Sequence, residues 1–139
     1  MLSDIKSGNA KEEGKEFRFW FVGRIEQWCR EKKVPFDAKK FGIRNTDNIE
    51  IKWGMYKKGD VRNVWAARSD RTALSILIRG DCIFRFREEG DDGAVTEVKL
   101  RNEGDYVIWQ EKVEHTWEIF RDSEFLTLRW VQQSLAARK

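Results

Sequence analysis

Between Ile49 and Trp130 the chain is a succession of short runs of β-forming residues, bounded by turn signals that centre on glycine. Ile49, Ile51, Trp53 and Met55 alternate with Glu50, Lys52, Gly54 and Tyr56, which is the period of a half-buried strand. Lys58, Gly59 and Asp60 turn it. Thr72 to Ile78 and Cys82 to Arg87 flank Arg79, Gly80 and Asp81, a pattern that predicts a tight hairpin because glycine tolerates positive φ. Val95 to Leu100, Tyr106 to Trp109, the stretch from His115 and the run Phe125 to Trp130 supply further strands. Elements this short and this closely spaced argue for a sandwich or barrel rather than βαβ units.

A chain of 139 residues is one domain's worth. Residues 1–14 are rich in Ser, Gly, Lys and Glu, too polar to anchor themselves, and read as a flexible extension. Residues 15–139 form the domain. Within it, Phe17, Phe21, Ile25, Trp28 and Cys29 follow helical spacing and predict an amphipathic helix over about 15–33, weakened at Gly23 and ended before Pro35. Arg30, Lys32 and Lys33 fall where a helix C-terminus favours cations. The barrel then occupies about 41–131. Seven tryptophans and nine phenylalanines predict an aromatic-rich core.

The formal charge of +3 is spread over 27 basic and 24 acidic side chains that are interspersed, which describes a solvated surface rather than a nucleic-acid face. No apolar run is long enough to span a bilayer, and Cys29 and Cys82 stand far apart with no CxxC spacing. The expectation is a cytoplasmic protein with no membrane and no nucleic-acid partner.

One histidine is present, His115, so any imidazole chemistry belongs there. It lies eleven residues after Gly104, across a turn, a strand and the polar stretch Gln110 to Lys112. Alternation from His115 places His115, Trp117 and Ile119 on one strand face.

This spacing resembles the second motif of the cupin superfamily, in which glycine, five residues, proline, one residue, glycine and two residues precede a histidine. Gly104 and His115 fall in register, while Gln110, Lys112 and Ile119 replace the usual proline, glycine and asparagine. The resemblance extends from Gly54 to Val131 and implies a mainly β, cupin-like jelly-roll barrel with an N-terminal α-helical segment. The first cupin motif holds two histidines and a glutamate that join the later histidine around a metal. Here Trp65 and Ala67 stand at the histidine positions, Arg71 or Thr72 at the glutamate position, and Gly80 at the later glycine. A transition-metal site needs three or four N, O or S ligands. The reading therefore assigns no metal and no cofactor.

The resemblance turns Trp65, Ala67, His115 and Trp117 inward and implies a homodimer. Three functions follow. In the first, the barrel binds a small organic ligand without a metal, with Trp65 and Trp117 as walls and His115 with Arg71 or Arg129 as polar anchors. In the second, His115 is the acid or base of an isomerase or lyase, tuned by Glu114 or Glu118, since an imidazole titrates near neutrality. In the third, the helix makes the protein a dimeric interaction module. Each residue also has a plainer role: His115 held by one hydrogen bond, Trp65, Trp109, Trp117 and Trp130 packing a core or rim, Arg71 and Arg129 facing solvent, and Cys82 a small buried hydrophobe. The acidic stretch Glu88 to Asp92 lacks the ligand spacing of a calcium loop and reads as a solvated tip.

Overall fold

The computed structural model describes residues 5–66, 70–88, 90 and 93–132. Seven strands form an antiparallel, rolled sheet: β1 (Trp20–Val22), β2 (Ile49–Tyr56), β3 (Val61–Ala66), β4 (Thr72–Glu88), β5 (Thr96–Leu100), β6 (Tyr106–Trp109) and β7 (Val113–Trp130). The two long strands carry the architecture. β4 and β7 pair from Thr72 with Trp130 to Glu88 with Val113, and each contributes one half to each wall of a jelly-roll barrel. The first wall runs β1, β2, β7, β4, β6; the second runs β3, β7, β4, β5.

Arg79, Gly80 and Asp81 do not form the expected hairpin. Both flanks pair with the same strand β7, so the chain continues through Gly80 with register shifts between Leu77 and Cys82. Gly80 sits at φ +128°, where a Cβ would overlap the buried Ser123. Arg121 Nη2 donates to Gly80 O at 2.9 Å and Asp81 N donates to Ser123 Oγ at 3.1 Å. Glycine here permits a barrel corner rather than a reversal. By the same corner, the segments starting at His115 and at Phe125 are one strand, not two.

The helix expected over 15–33 is shorter than its apolar period. Gly14–Phe17 is a 3-10 turn, Arg18 and Phe19 take positive φ, and Trp20–Val22 pairs with β2 as an edge strand. Helix begins only at Ile25 and runs to Glu31. Aromatic and β-branched residues at 20–22 gain more from sheet pairing than from a helix. The apolar positions still meet, because Phe17, Ile25, Cys29 and Phe41 bury one another in a second small core with Trp20 and Trp28 against it. The helix therefore covers its apolar face within its own chain.

The main core is aromatic-rich, with Leu77, Cys82, Phe84, Phe86, Leu100, Val107, Ile119 and Phe125 buried together. β2 contributes to the interior in an unexpected sense. Its polar set faces in: Glu50 is buried, and Lys52 and Tyr56 line a hollow. Ile49, Ile51, Trp53 and Met55 face out, beside Leu126, Leu128 and Trp130 of β7, Leu74 and Ile76 of β4, and the exposed Tyr106 and Ile108 of β6. Near the N-terminus Lys11 pairs with Glu124 at 3.0 Å and lies 5.9 Å from the Trp53 ring.

Candidate functional site

The walls of the barrel separate around a cavity of about 440 Å3 that is partly open to solvent. Strand alternation delivers its lining: Lys52 and Tyr56 from β2, Arg62 and Ala66 from β3, Trp109 from β6, and His115, Trp117, Thr127 and Arg129 from β7. Phe84, Ile119 and Phe125 floor it toward the filled core. Tyr56 and Trp117 meet at 4.9 Å between centroids along one side, and Trp109 and His115 at 5.0 Å along the other. Rings thus flank a space whose lining mixes apolar and polar side chains.

His115 is half-buried with Phe84 and Phe86 rings at 6.4 and 6.3 Å. Burial pushes its pKa down from 6.5 to about 4, helped by the positive charges of Arg62, Arg129 and Lys52. At neutral pH the imidazole is uncharged, with one nitrogen a donor and the other an acceptor. Among the described residues none hydrogen-bonds it, so its polar capacity is directed at whatever enters the cavity.

Three cations face the same space. Arg129 stacks on Trp20 at 4.5 Å, and burial lowers its pKa despite the opposing charge of Glu50. Lys52 lies 5.3 Å from the Trp20 ring and 5.7 Å from Tyr56. Arg62 Nε donates to Val64 O at 3.3 Å. Ser75 Oγ and Thr127 Oγ1, also in the lining, are 2.8 Å apart and hydrogen-bonded.

The structure brings His115, Trp117 and Arg129 together and leaves Trp65 and Arg71 apart from them. Trp65 precedes the inward Ala66, so alternation turns it to the outer side of β3, where the Arg87 guanidinium lies 4.3 Å from its ring. Arg71 is buried, but it is held by Glu50 at 3.3 Å and by Asp47 O at 2.9 Å, outside the lining. Ala67 lies outside the described residues, as do Glu89, Asp91 and Asp92 of the acidic loop. Glu114 and Glu118 cannot tune His115. They stand on the opposite face of β7, paired with Arg87 at 3.4 Å and Arg85 at 3.2 Å. Cys82 is fully buried and its pKa is pushed up to about 12 by that burial, which makes it an inert packing group.

Lys52, Arg62 and Tyr56 are site residues that sequence reasoning missed. The only signal for Lys52 and Tyr56 was their membership of the polar half of β2, which hydropathy assigns to solvent.

A cupin metal does not fit this lining. Among the described residues the sole imidazole has no carboxylate or thiolate beside it in the lining, and three cations would repel a divalent ion. Among the described residues no three His, Cys, Asp or Glu side chains gather.

No protein-family model and no curated protein matches the sequence. Solved structures do. A cupin superfamily protein from Desulfitobacterium hafniense is 16% identical over 63% of this chain and 72% of its own, with a TM-score of 0.51. Streptomyces albus HEPD, with 2-hydroxyethylphosphonate and Fe(II) bound, is 13% identical over 66% of this chain, with a TM-score of 0.52. Hydroquinone 1,2-dioxygenase from Sphingomonas sp. TTNP3, with 4-hydroxybenzoate bound, is 11% identical over 63%, with a TM-score of 0.53. This chain spans 20% of the former enzyme's length and 25% of the latter's. The fold is that of cupin-like proteins.

Proposed function

We propose that this chain is a metal-independent, cupin-like protein that binds a small organic molecule in the cavity around His115. The observation that carries the reading is the cavity itself: about 440 Å3, flanked by Tyr56, Trp109 and Trp117, with Lys52, Arg62, His115 and Arg129 turned into it. Ligand sites have this make-up and span roughly 300–1,000 Å3. Binding is favoured over turnover because an imidazole with a pKa of about 4 is a weak base at neutral pH and holds no proton to give as an acid. Among the described residues no carboxylate joins it in the lining to raise that value. The donor set around His115 supports the absence of a metal requirement.

The test is a fragment screen by NMR on the full chain, reading the indole N–H resonances of Trp109 and Trp117, with and without a chelator. The panel spans neutral and anionic compounds and includes 4-hydroxybenzoate and 2-hydroxyethylphosphonate. Expected hits move those indoles, lose affinity in Trp117→Ala, and are indifferent to the chelator. A panel in which nothing moves either indole removes the binding reading, and chelator-sensitive binding removes metal independence.

A second reading concerns self-association, and the outer side of the first wall favours it. Ile49, Ile51, Leu126, Leu128, Trp130, Leu74, Ile76 and Ile108 make an apolar face whose charged groups, the paired Lys11 and Glu124, lie at its Trp53 edge. A second copy of a chain with net charge +3 can approach there without opposing its charges. Four strands about 4.8 Å apart and some six residues long present roughly 400 Å2. Stable complexes bury about 800 Å2 per partner, so the dimer is weak. Light scattering across a concentration series should show mass rising, and Ile108→Lys should abolish the rise; a constant monomer mass removes this reading.

A further inference from the structure

We propose that the ligand of this cavity is an organic acid, with a flat apolar body against Trp109 and Trp117 and an anionic head between Arg129 and Lys52. The inference rests on the small-molecule reading above and adds the charge and shape of what is bound.

Charge is unbalanced in this partly desolvated space. Lys52, Arg62 and Arg129 line the cavity, and among the described residues no Asp or Glu does. Glu50 is the carboxylate acting on Arg129, yet it is already shared by Arg71 at 3.3 Å and Arg24 at 3.9 Å. Among the described residues the Arg129 guanidinium makes neither a hydrogen bond nor an ion pair; its face is taken by Trp20, which leaves its N–H edge available. Lys52 likewise rests on rings, those of Trp20 and Tyr56, without a counter-ion among the described residues. Removing such cations from water costs free energy unless an anion or water compensates them.

Both groups are held in place before any ligand arrives. Stacking on Trp20 orients the Arg129 guanidinium, and a fixed guanidinium edge matches a planar carboxylate with two parallel N–H donors. In the same lining, the neutral His115 ring can donate one further hydrogen bond without adding charge. A bare inorganic anion would leave much of the space empty, because Phe84, Ile119, Phe125 and the two indoles supply a contiguous apolar part of the lining away from its cations. That surface calls for a hydrophobic body of one ring or a little more.

The experiment compares benzoate with its neutral isostere benzamide, titrated into the full chain and followed at the Trp109 and Trp117 indoles. A charge-assisted hydrogen bond at this site corresponds to benzoate binding about 10 to 100 times more tightly than benzamide. Arg129→Gln should bring benzoate down toward benzamide and leave benzamide unchanged. Lys52→Met should act in the same direction and serves if the arginine variant fails to fold. Benzamide binding as tightly as benzoate, or benzoate unaffected in the folded variants, overturns the anionic inference while the small-molecule reading stands. Neutral fragments moving the indoles when benzoate does not has the same meaning. A full panel that moves neither indole removes both.

Discussion

The interior of this barrel has two ends, and the same pair of strands builds both. At one end Leu77 and Cys82 of β4, Ile119 of β7 and Leu100 of β5 are sealed from solvent, with exposures of 0 to 2%. At the other, β7 turns His115, Thr127 and Arg129 inward beside Lys52 and Arg62, and the space stays open. Alternation is identical along both halves. What differs is the free energy of dehydration: methyl and ring groups gain by closing on one another, whereas facing cations repel and keep their water. The hollow is therefore a consequence of which residues fall on the inward positions, not of a gap in the fold.

The largest test of this contrast lies at the sealed end. Leu77→Ala should cost about 2–5 kcal/mol in a denaturant titration, because a fully buried side chain leaves a cavity that its neighbours only partly fill. An equivalent loss from Trp117→Ala would erase the distinction between packing and lining; that variant is expected to lose ligand affinity first.

A pH titration reaches the open end directly. His115 takes up its proton near 6.5 when unfolded and near 4 when folded. Between those values the unfolded chain is the better proton acceptor, so folding stability is complete above about pH 6.5 and falls as the pH drops toward 4. Comparing pH 7.5 with pH 5 should show up to about 2 kcal/mol less stability, reduced because the cavity is partly open to solvent. His115→Gln should remove most of that difference, and a variant that keeps it would assign the titration elsewhere.

The corner between the two ends is next in size. Gly80→Ala should cost about 1–3 kcal/mol in the same titration, since the added methyl meets Ser123 at a φ unsuited to alanine. Unchanged stability would mean that the corner relaxes freely. Smallest of all, Lys52→Met should raise the melting temperature of the ligand-free protein by an amount equivalent to about 1 kcal/mol or less, by removing one uncompensated cation. A fall would show that the Lys52 contacts with Trp20 and Tyr56 matter more than its charge.

The comparison also explains which parts of the site were legible beforehand. His115 and Trp117 share a parity along β7, and the spacing from Gly104 located that strand, so both were found with their inward direction. Arg129, also named from the sequence, lies fourteen residues from His115 on the same strand and keeps its parity, so it faces the cavity too. Trp65 was assigned inward from a motif register, and a displacement of one residue on β3 is enough to turn it out, with Ala66 taking the lining position. Lys52 was overlooked because hydropathy reads Ile49, Ile51, Trp53 and Met55 as the buried side of β2, whereas burial on this strand follows the barrel's axis.

Period and punctuation were therefore written in the chain: where strands β2, β5 and β6 run, where glycine turns them at Gly59 and Gly104, how aromatic the core is, and that one imidazole must serve any site. Tertiary structure alone decided which side of β2 faces in, that Gly80 bends a strand instead of reversing it, and that residues 20–22 join a sheet rather than a helix. The physical reason is that alternation specifies two faces without saying which is inside. That choice belongs to the partner strand, through hydrogen-bond register and the side chains it brings across.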